Sequence, residues 1–311
     1  MQSADLNQAA IVTTQAMTQT VVSLPVSSFP MRLSQTQLSL LTTCPRKFQH
    51  IYLEQLAAPT DLAQQERQQQ GSQFHLLLQQ WQLGLPVEPM LQADDRLRQW
   101  FHSFTQAAPE ILALLPEGSE VWQQTEHDRT LEFQGYLLSV RYDLLLSNPW
   151  TARILDWKTY PRPRQPEQLW QSWQTRLYLF VLAETSPYSP DQLSMIYWFF
   201  QTPTLGDQSA PPPQSYQLNY SCDRHEQTRK DLIRLLDQLT DWLAHYHQGE
   251  AFPQINTGID QCQMCNFVVR CDRQAIEQSN PISESSNRVN TFSSFELPNL
   301  EDIQEIPLEL I

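Results

Sequence analysis

Between Val121 and Trp157 the side-chain pattern changes from a helical spacing to a period of two, and this change constrains the fold more than any other feature. Successive side chains of a strand point to opposite faces. Val121–Glu126, Thr130–Gln134, Tyr136–Leu146 and Ala152–Trp157 therefore read as successive strands, with Glu126–Thr130 as a short hairpin link. Helical stretches precede them. Leu33–Leu56 has Ser34 as N-cap and a break near Thr43–Pro45, and Asp61–Leu83 and Ala93–Ala107 follow before loops at Pro109, Pro116 and Gly118. Glu167–Glu184 and Asp223–Gln248 are helices on the other side, the latter with Ile233, Leu236, Leu239 and Leu243 as its apolar stripe. Leu193–Gln201 and Tyr216–Tyr220 add strands. Strands interleaved with helices predict an α/β domain.

Residues 1–30 are rich in Thr, Gln, Ser and Val, and 276–311 in Ser, Asn and Glu. Both read as disordered flanks of one domain over 31–275. The net charge is −14, and the C-terminal flank holds seven acids against one arginine. An acidic total argues against non-specific polyanion binding without excluding a local basic groove. No apolar run approaches the ~20 residues of a membrane span. The N-terminus lacks the basic start and apolar stretch of a secretory signal, so a cytoplasmic location is expected. The chain has no Gly-x4-Gly-Lys-Ser/Thr phosphate loop, which excludes an ordinary NTPase motor.

The fourth strand ends Asp156-Trp157-Lys158. Residues i and i+2 share a face, so Asp156 and Lys158 point the same way and Trp157 points opposite. The chain has three lysines in all, Lys47, Lys158 and Lys230, and another strand carries Asp143 thirteen residues earlier. An isolated Asp-x-Lys is ordinarily a surface ion pair worth at most ~1 kcal/mol. Its company decides otherwise. His75 lies four residues after Gly71 on one helix face, and Gln174 and Tyr178 share a face in the same way.

In this order the residues resemble the PD-(D/E)xK nuclease superfamily, in its RecB-like exonuclease branch. The resemblance spans roughly residues 33–275. It implies a restriction-endonuclease-like core, a mixed central sheet flanked by helices. Gly71-x3-His75 is similar to the first helical motif, whose histidine approaches the metal. Asp143 matches the motif II ligand, Asp156-Trp157-Lys158 the catalytic strand, and Gln174-x3-Tyr178 the Gln-x3-Tyr motif. The implied ligands of Mg²⁺ or Mn²⁺ are His75, Asp143, Asp156 and the Trp157 carbonyl. Lys158 serves the attacking water, and Gln174 and Tyr178 orient Lys158 or the DNA. The residues depart from the pattern in lacking a glycine two positions before Asp143 and another soon after Lys158. Neither change removes a ligand.

Cys262-x2-Cys265-x5-Cys271 and the distant Cys44 suit a cubane cluster or zinc. This one-plus-three spacing resembles the iron–sulfur RecB-like nucleases, among them the CRISPR-associated exonucleases and the AddAB nuclease domain. The resemblance implies a [4Fe–4S] staple on Cys44, Cys262, Cys265 and Cys271, with zinc as the alternative occupant. Cys222 falls outside the pattern.

Arg162 and Arg164 follow the catalytic strand in a proline-rich loop and, with Arg176, are candidates for phosphate contacts. The expected activity is a metal-dependent deoxyribonuclease, an exonuclease on single-stranded or frayed DNA ends, in repair, recombination or CRISPR-related processing. The second reading is a catalytically weak or inactive module that binds DNA or a helicase partner.

Overall fold

The computed structural model describes residues 30–56, 62–112, 121–160, 162, 165–200, 212–255, 262 and 265–273. The expected disordered flanks lie outside these residues except for Pro30, as does Arg164. In chain order the strands are β1 (Arg32–Leu33), β2 (Trp122–Phe133), β3 (Tyr136–Ser147), β4 (Ala152–Lys158), β5 (Leu193–Phe199) and β6 (Gln214–Asn219). The helices are α1 (Gln35–Thr43), α2 (Pro45–Phe48), α3 (Leu62–Gln82), α4 (Glu88–Ala93), α5 (Asp95–Leu112), α6 (Pro166–Gln171), α7 (Trp173–Glu184) and α8 (Cys222–His247). A π-helical turn, Gln49–Leu53, continues α2.

β3 is the pivot of the sheet. β2 pairs antiparallel with β3 from end to end, through the two-residue turn Gln134-Gly135. Both turn residues have positive φ, 52° and 78°, which gives the twist that matches paired strands. The other edge of β3 is shared. β1 runs parallel to its first part, at Leu137 and Leu138, while β4 runs antiparallel to its last part, Leu144–Ser147. β5 lies parallel to β4, and β6 closes the sheet antiparallel to β5. The result is a mixed six-stranded sheet.

Each face of the sheet has its own core. On one, Leu138, Val140, Tyr142, Ile154 and Tyr197 pack against Leu38 of α1, Leu177 and Val181 of α7, and Leu232 and Leu236 of α8. On the other, Leu155, Trp157, Ile196 and Trp198 pack against Phe74 and Leu78 of α3 and Trp100 and Phe104 of α5. This is the expected α/β arrangement, a mixed central sheet flanked by helices. Trp157 is buried opposite Asp156 and Lys158, as the alternation requires. Among the described residues no helix is long and apolar enough to cross a membrane.

Several local expectations need correction. Glu126–Thr130 is not a hairpin, because β2 runs through it as one 12-residue strand. The chain turns once, where Gly135 permits it. Pro109 does not end α5, which continues to Leu112. The proline removes one hydrogen bond near the helix end, while the buried face Trp100, Phe104, Ala107, Ala108 and Ile111 carries on past it. The expected helix over 167–184 is two helices. Ser172 is extended (ψ 135°), and its hydroxyl accepts the Gln174 N–H, restarting the helix as α7. The buried stripe of α8 is Leu232, Leu235, Leu236 and Leu239, with Ile233 displaced from it. Ser34 does cap α1 in a reciprocal box with Gln37, and Cys44 sits at the break before Pro45.

Candidate active site

The site begins where the sheet forks. β4 pairs with β3 only as far as Leu144↔Leu155. One further step of that antiparallel register brings Asp143 opposite Asp156. There the ladder stops, and Asp143 Oδ2 accepts the Trp157 backbone N–H at 2.7 Å. A carboxylate thus satisfies a buried donor that a neighbouring strand would otherwise take. The strand also changes phase at this point. Leu138, Val140 and Tyr142 belong to one core, whereas Leu144 and Leu146 belong to the other. In an unbroken strand all five would share a face. On β2 the matching residue is Glu126, at φ 47°, where the β2–β3 pairing skips a step.

Helix α3 delivers His75 to this fork. Its Nδ1 lies 3.3 Å from Asp143 Oδ1, and its Nε2 lies 2.9 Å from the Trp157 carbonyl oxygen. Both ring nitrogens face acceptors, which suits the doubly protonated ring. Burial, the largest influence, opposes that charge. The carboxylates of Asp143, Asp156 and Glu126 outweigh it and raise the His75 pKa to about 9. Burial and the Asp143 charge together push Glu126 up to about 7, with His75 and Arg141 working the other way. Potential ligand atoms of His75, Glu126 and Asp143 lie within 4.8 Å of one another.

Glu126 was not among the expected residues. Placed at a strand end, it had no reason to approach Asp143. The signal that finds it is the turn. Glu126 lies as far before Gln134 as Asp143 lies after Gly135, so a two-residue turn sets them opposite each other.

The other face of β4 presents Asp156 and Lys158 to α7. Gln174 Nε2 donates to Asp156 Oδ1 at 2.7 Å, and Lys158 Nζ lies 2.9 Å from Asp156 Oδ2. Asp156 and Lys158 are 2% and 5% exposed, so this is a buried ion pair rather than a surface one. The ammonium also lies 5.9 Å and 5.7 Å from the ring centroids of Tyr160 and Tyr197. Tyr178 is buried against the Tyr142 ring, one turn beyond Gln174. Gly71 does not serve close packing, since a Cβ there would meet Thr159 Oγ1 at an ordinary 3.6 Å.

Of the arginines, Arg162 lies over the Tyr216 ring at 4.4 Å and reaches the Ser215 carbonyl at 3.5 Å. Arg176 is held by Asp231 at 2.6 Å and stacks on Trp173, so its charge is largely spent within the fold. Arg224, not anticipated, lies 3.9 Å over the Trp170 ring.

Cys44, Cys262, Cys265 and Cys271 line one cavity together with Arg46, Lys47 and Arg273. Phe267 N–H donates to Cys265 Sγ at 3.5 Å. Burial and the neighbouring thiols raise the Cys271 pKa. The thiols border this space without closing into a tight set. Among the described residues only His75, Glu126 and Asp143 bring three ligand atoms within 4.8 Å. Cys222 is exposed and donates to Asp191, apart from this group.

A family model described as the PD-(D/E)XK nuclease superfamily matches residues 32–272. Among solved structures, a protein from Eubacterium rectale described as a "putative exonuclease" is 10% identical over 87% of this chain and 97% of its own, with a TM-score of 0.45. The crystal structure of SSO0001 is 13% identical over 77% of this chain and 85% of its own, with a TM-score of 0.34. No curated protein matches.

Proposed function

The chain belongs to the PD-(D/E)XK nuclease superfamily, and we propose that it is a Mg²⁺- or Mn²⁺-dependent deoxyribonuclease of the RecB-like branch, trimming single-stranded or frayed DNA ends. The observation that carries this reading is the fork. His75, Glu126, Asp143 and the Trp157 carbonyl converge where β3 and β4 part, and the Asp156–Lys158 pair flanks Trp157 on the same strand end.

The donors fit a hard divalent cation. They are carboxylate and carbonyl oxygens with one imidazole, a set that suits Mn²⁺ at least as well as Mg²⁺. Two carboxylates and one imidazole within 4.8 Å of one another, with the Asp156 charge acting on the imidazole, hold their charge down by taking up protons, as the raised pKa values of His75 and Glu126 indicate. A cation would replace those protons. When bound, it supplies Lewis-acid stabilisation of the charge that builds on the phosphoryl oxygens.

The remaining work falls to the chain. Lys158 stabilises the same charge and holds the attacking water beside Asp156. Gln174 fixes the Asp156 carboxylate by donating to Oδ1, which leaves Oδ2 facing Lys158. The rings of the buried Tyr197 and the part-buried Tyr160 beside the ammonium restrict where it can move. Arg162 is the best-placed basic group for a phosphate flanking the scissile one. It follows the catalytic strand closely and rests on Tyr216, which occupies the same register row as Tyr197 and Asp156. A helicase is the kind of partner that would supply unwound ends to such a nuclease.

We read the four-thiol cavity as the seat of a [4Fe–4S] cluster with a structural role. Its support is the four thiols on one cavity, the Phe267 N–H on Cys265, and three cationic side chains to balance an anionic cluster. Such a group would tie the Cys44 break to the C-terminal cysteine segment.

The test is cleavage of end-labelled single- and double-stranded DNA by anaerobically purified protein. Products are expected with Mn²⁺ or Mg²⁺ and none with a chelator, as a ladder shortening from one end. Intact substrate under every metal condition would contradict the reading. About four irons per chain are expected, and stoichiometric zinc without iron would replace the cluster by a zinc site.

A further inference from the structure

We propose that His50, which lies behind the cavity-lining Cys271, is a fifth donor beside the four thiols, able to take the position of Cys271 on a thiophilic metal centre. The proposal rests on the reading above that the cavity holds such a centre.

His50 lies in the π-helical turn Gln49–Leu53, just after Cys44 and α2. Single π-turns break the regular helical spacing and concentrate at functional positions. The imidazole is only 3% exposed, and its ring packs against Phe267 with centroids 5.0 Å apart. Nδ1 lies 2.8 Å from Glu54 Oε2. Gln49 Nε2 donates to the other oxygen of Glu54 at 2.6 Å, and Arg270 approaches at 3.4 Å. A carboxylate ringed by donors is an acceptor, so the Nδ1 of His50 carries the hydrogen. In the neutral ring the lone pair is then on Nε2.

That nitrogen faces Cys271 Sγ at 3.7 Å. The distance has a meaning beyond a weak hydrogen bond. A nitrogen this near to a ligating sulfur lies within reach of the position that the sulfur would occupy on a metal. Carboxylate, imidazole and metal in line is also the usual way a ligating histidine is oriented. Nothing in the nuclease mechanism uses Glu54 or His50, yet both are held in this geometry next to the thiols. Five donors for four positions would let the centre survive the loss of the Cys271 thiolate. His50 would hold that position in place of Cys271, donating through Nε2.

The experiment uses full-length protein purified without oxygen, with iron and zinc measured directly and circular dichroism as the fold check. Wild type, Cys271→Ala, His50→Ala, the Cys271→Ala/His50→Ala double variant and Cys44→Ala are compared. Cys271→Ala should keep at least about half of the wild-type metal and, where that metal is iron, show directly bound histidine nitrogen by pulsed electron paramagnetic resonance after ¹⁵N-histidine labelling and dithionite reduction of the cluster to its paramagnetic state. The double variant and Cys44→Ala should be nearly empty. Cys271→Ala as empty as the double variant, with native circular dichroism, would overturn the proposal. Should Cys271→Ala fail to fold, His50→Ala alone decides. It should lose metal to a chelator about 10-fold faster than wild type, and an unchanged rate would overturn the proposal. Wild type that carries neither iron nor zinc would instead refute the reading of the cavity itself.

Discussion

Asp143 Oδ2 accepts the Trp157 backbone N–H at 2.7 Å, so a side chain stands where β3 and β4 part. The same carboxylate faces His75 through its other oxygen. Asp143 therefore has a structural task, and the proposed function gives it a chemical one; two substitutions separate them. Asn can still accept the amide but carries no charge. Asp143→Asn should fold, be more stable than Asp143→Ala, and lose metal-dependent cleavage. Asp143→Ala should lose cleavage as well and also be destabilised by about 1–3 kcal/mol, the cost of a buried unpaired N–H. Denaturant titration of the two variants beside a cleavage assay checks this. Equal stability of the two would mean that the carboxylate does not satisfy the amide.

The metal-free protein should lose stability as the pH rises from neutral. His75 has a folded pKa of about 9 against 6.5 for the free side chain, and Glu126 about 7 against 4.5. Both are raised on folding. Each therefore contributes stability that is complete below its unfolded value and lost as pH passes its folded value. The window runs from about pH 4.5 to about pH 9, with His75 dominating its upper part. Melting curves of wild type and His75→Gln in chelator test it. The wild-type melting temperature should fall more steeply between pH 7 and pH 9. Added Mn²⁺ should reverse the loss, because the cation binds the deprotonated forms.

Gln174 holds Asp156 by a single bond of 2.7 Å, and it is the residue of the Gln-x3-Tyr pair that touches the catalytic strand. Gln174→Ala should lower the turnover rate by about 10–100-fold through misplacement of the Asp156–Lys158 pair, with little change in DNA affinity. Single-turnover kinetics separate the two effects. A weakened affinity at unchanged turnover would assign Gln174 to DNA binding instead.

Gly71 lies inside α3 with room for a methyl group. Gly71→Ala should stabilise the protein by about 0.5–1 kcal/mol through helix propensity, leaving cleavage unaltered. A bulkier residue would press on Thr159, next to Lys158, and should reduce cleavage. Thermal melts with activity checks decide it. A destabilised alanine variant would show that the helix needs the glycine.

The alternation along residues 152–158 was legible because it depends on strand geometry alone. That is why Asp156 and Lys158 share a face and Trp157 lies in the opposite core. Ser34 and the break at Cys44 were legible for an equally local reason, a cap and a proline. Glu126 was hidden because its partner is set by long-range pairing through a turn whose glycine was not used to count register. The Glu54–His50–Cys271 contact was hidden because a π-turn changes which residues meet, and no periodicity announces it. Arg176 looked like a phosphate contact until Asp231, on a distant helix, was seen to hold it. Local chemistry was readable, and what needed a tertiary neighbour was not.

The account turns on Lys158, and its most direct test is metal-dependent hydrolysis by the Lys158→Ala variant. Mn²⁺ binding and DNA binding are measured on the same preparation. The expected result is a folded protein with a lowered melting temperature, since Asp156 loses its buried partner, with Mn²⁺ and DNA retained and cleavage reduced at least about 10²-fold, since on the proposed function the group that stabilises the developing charge is gone. Undiminished cleavage by Lys158→Ala would place the chemistry elsewhere in the molecule.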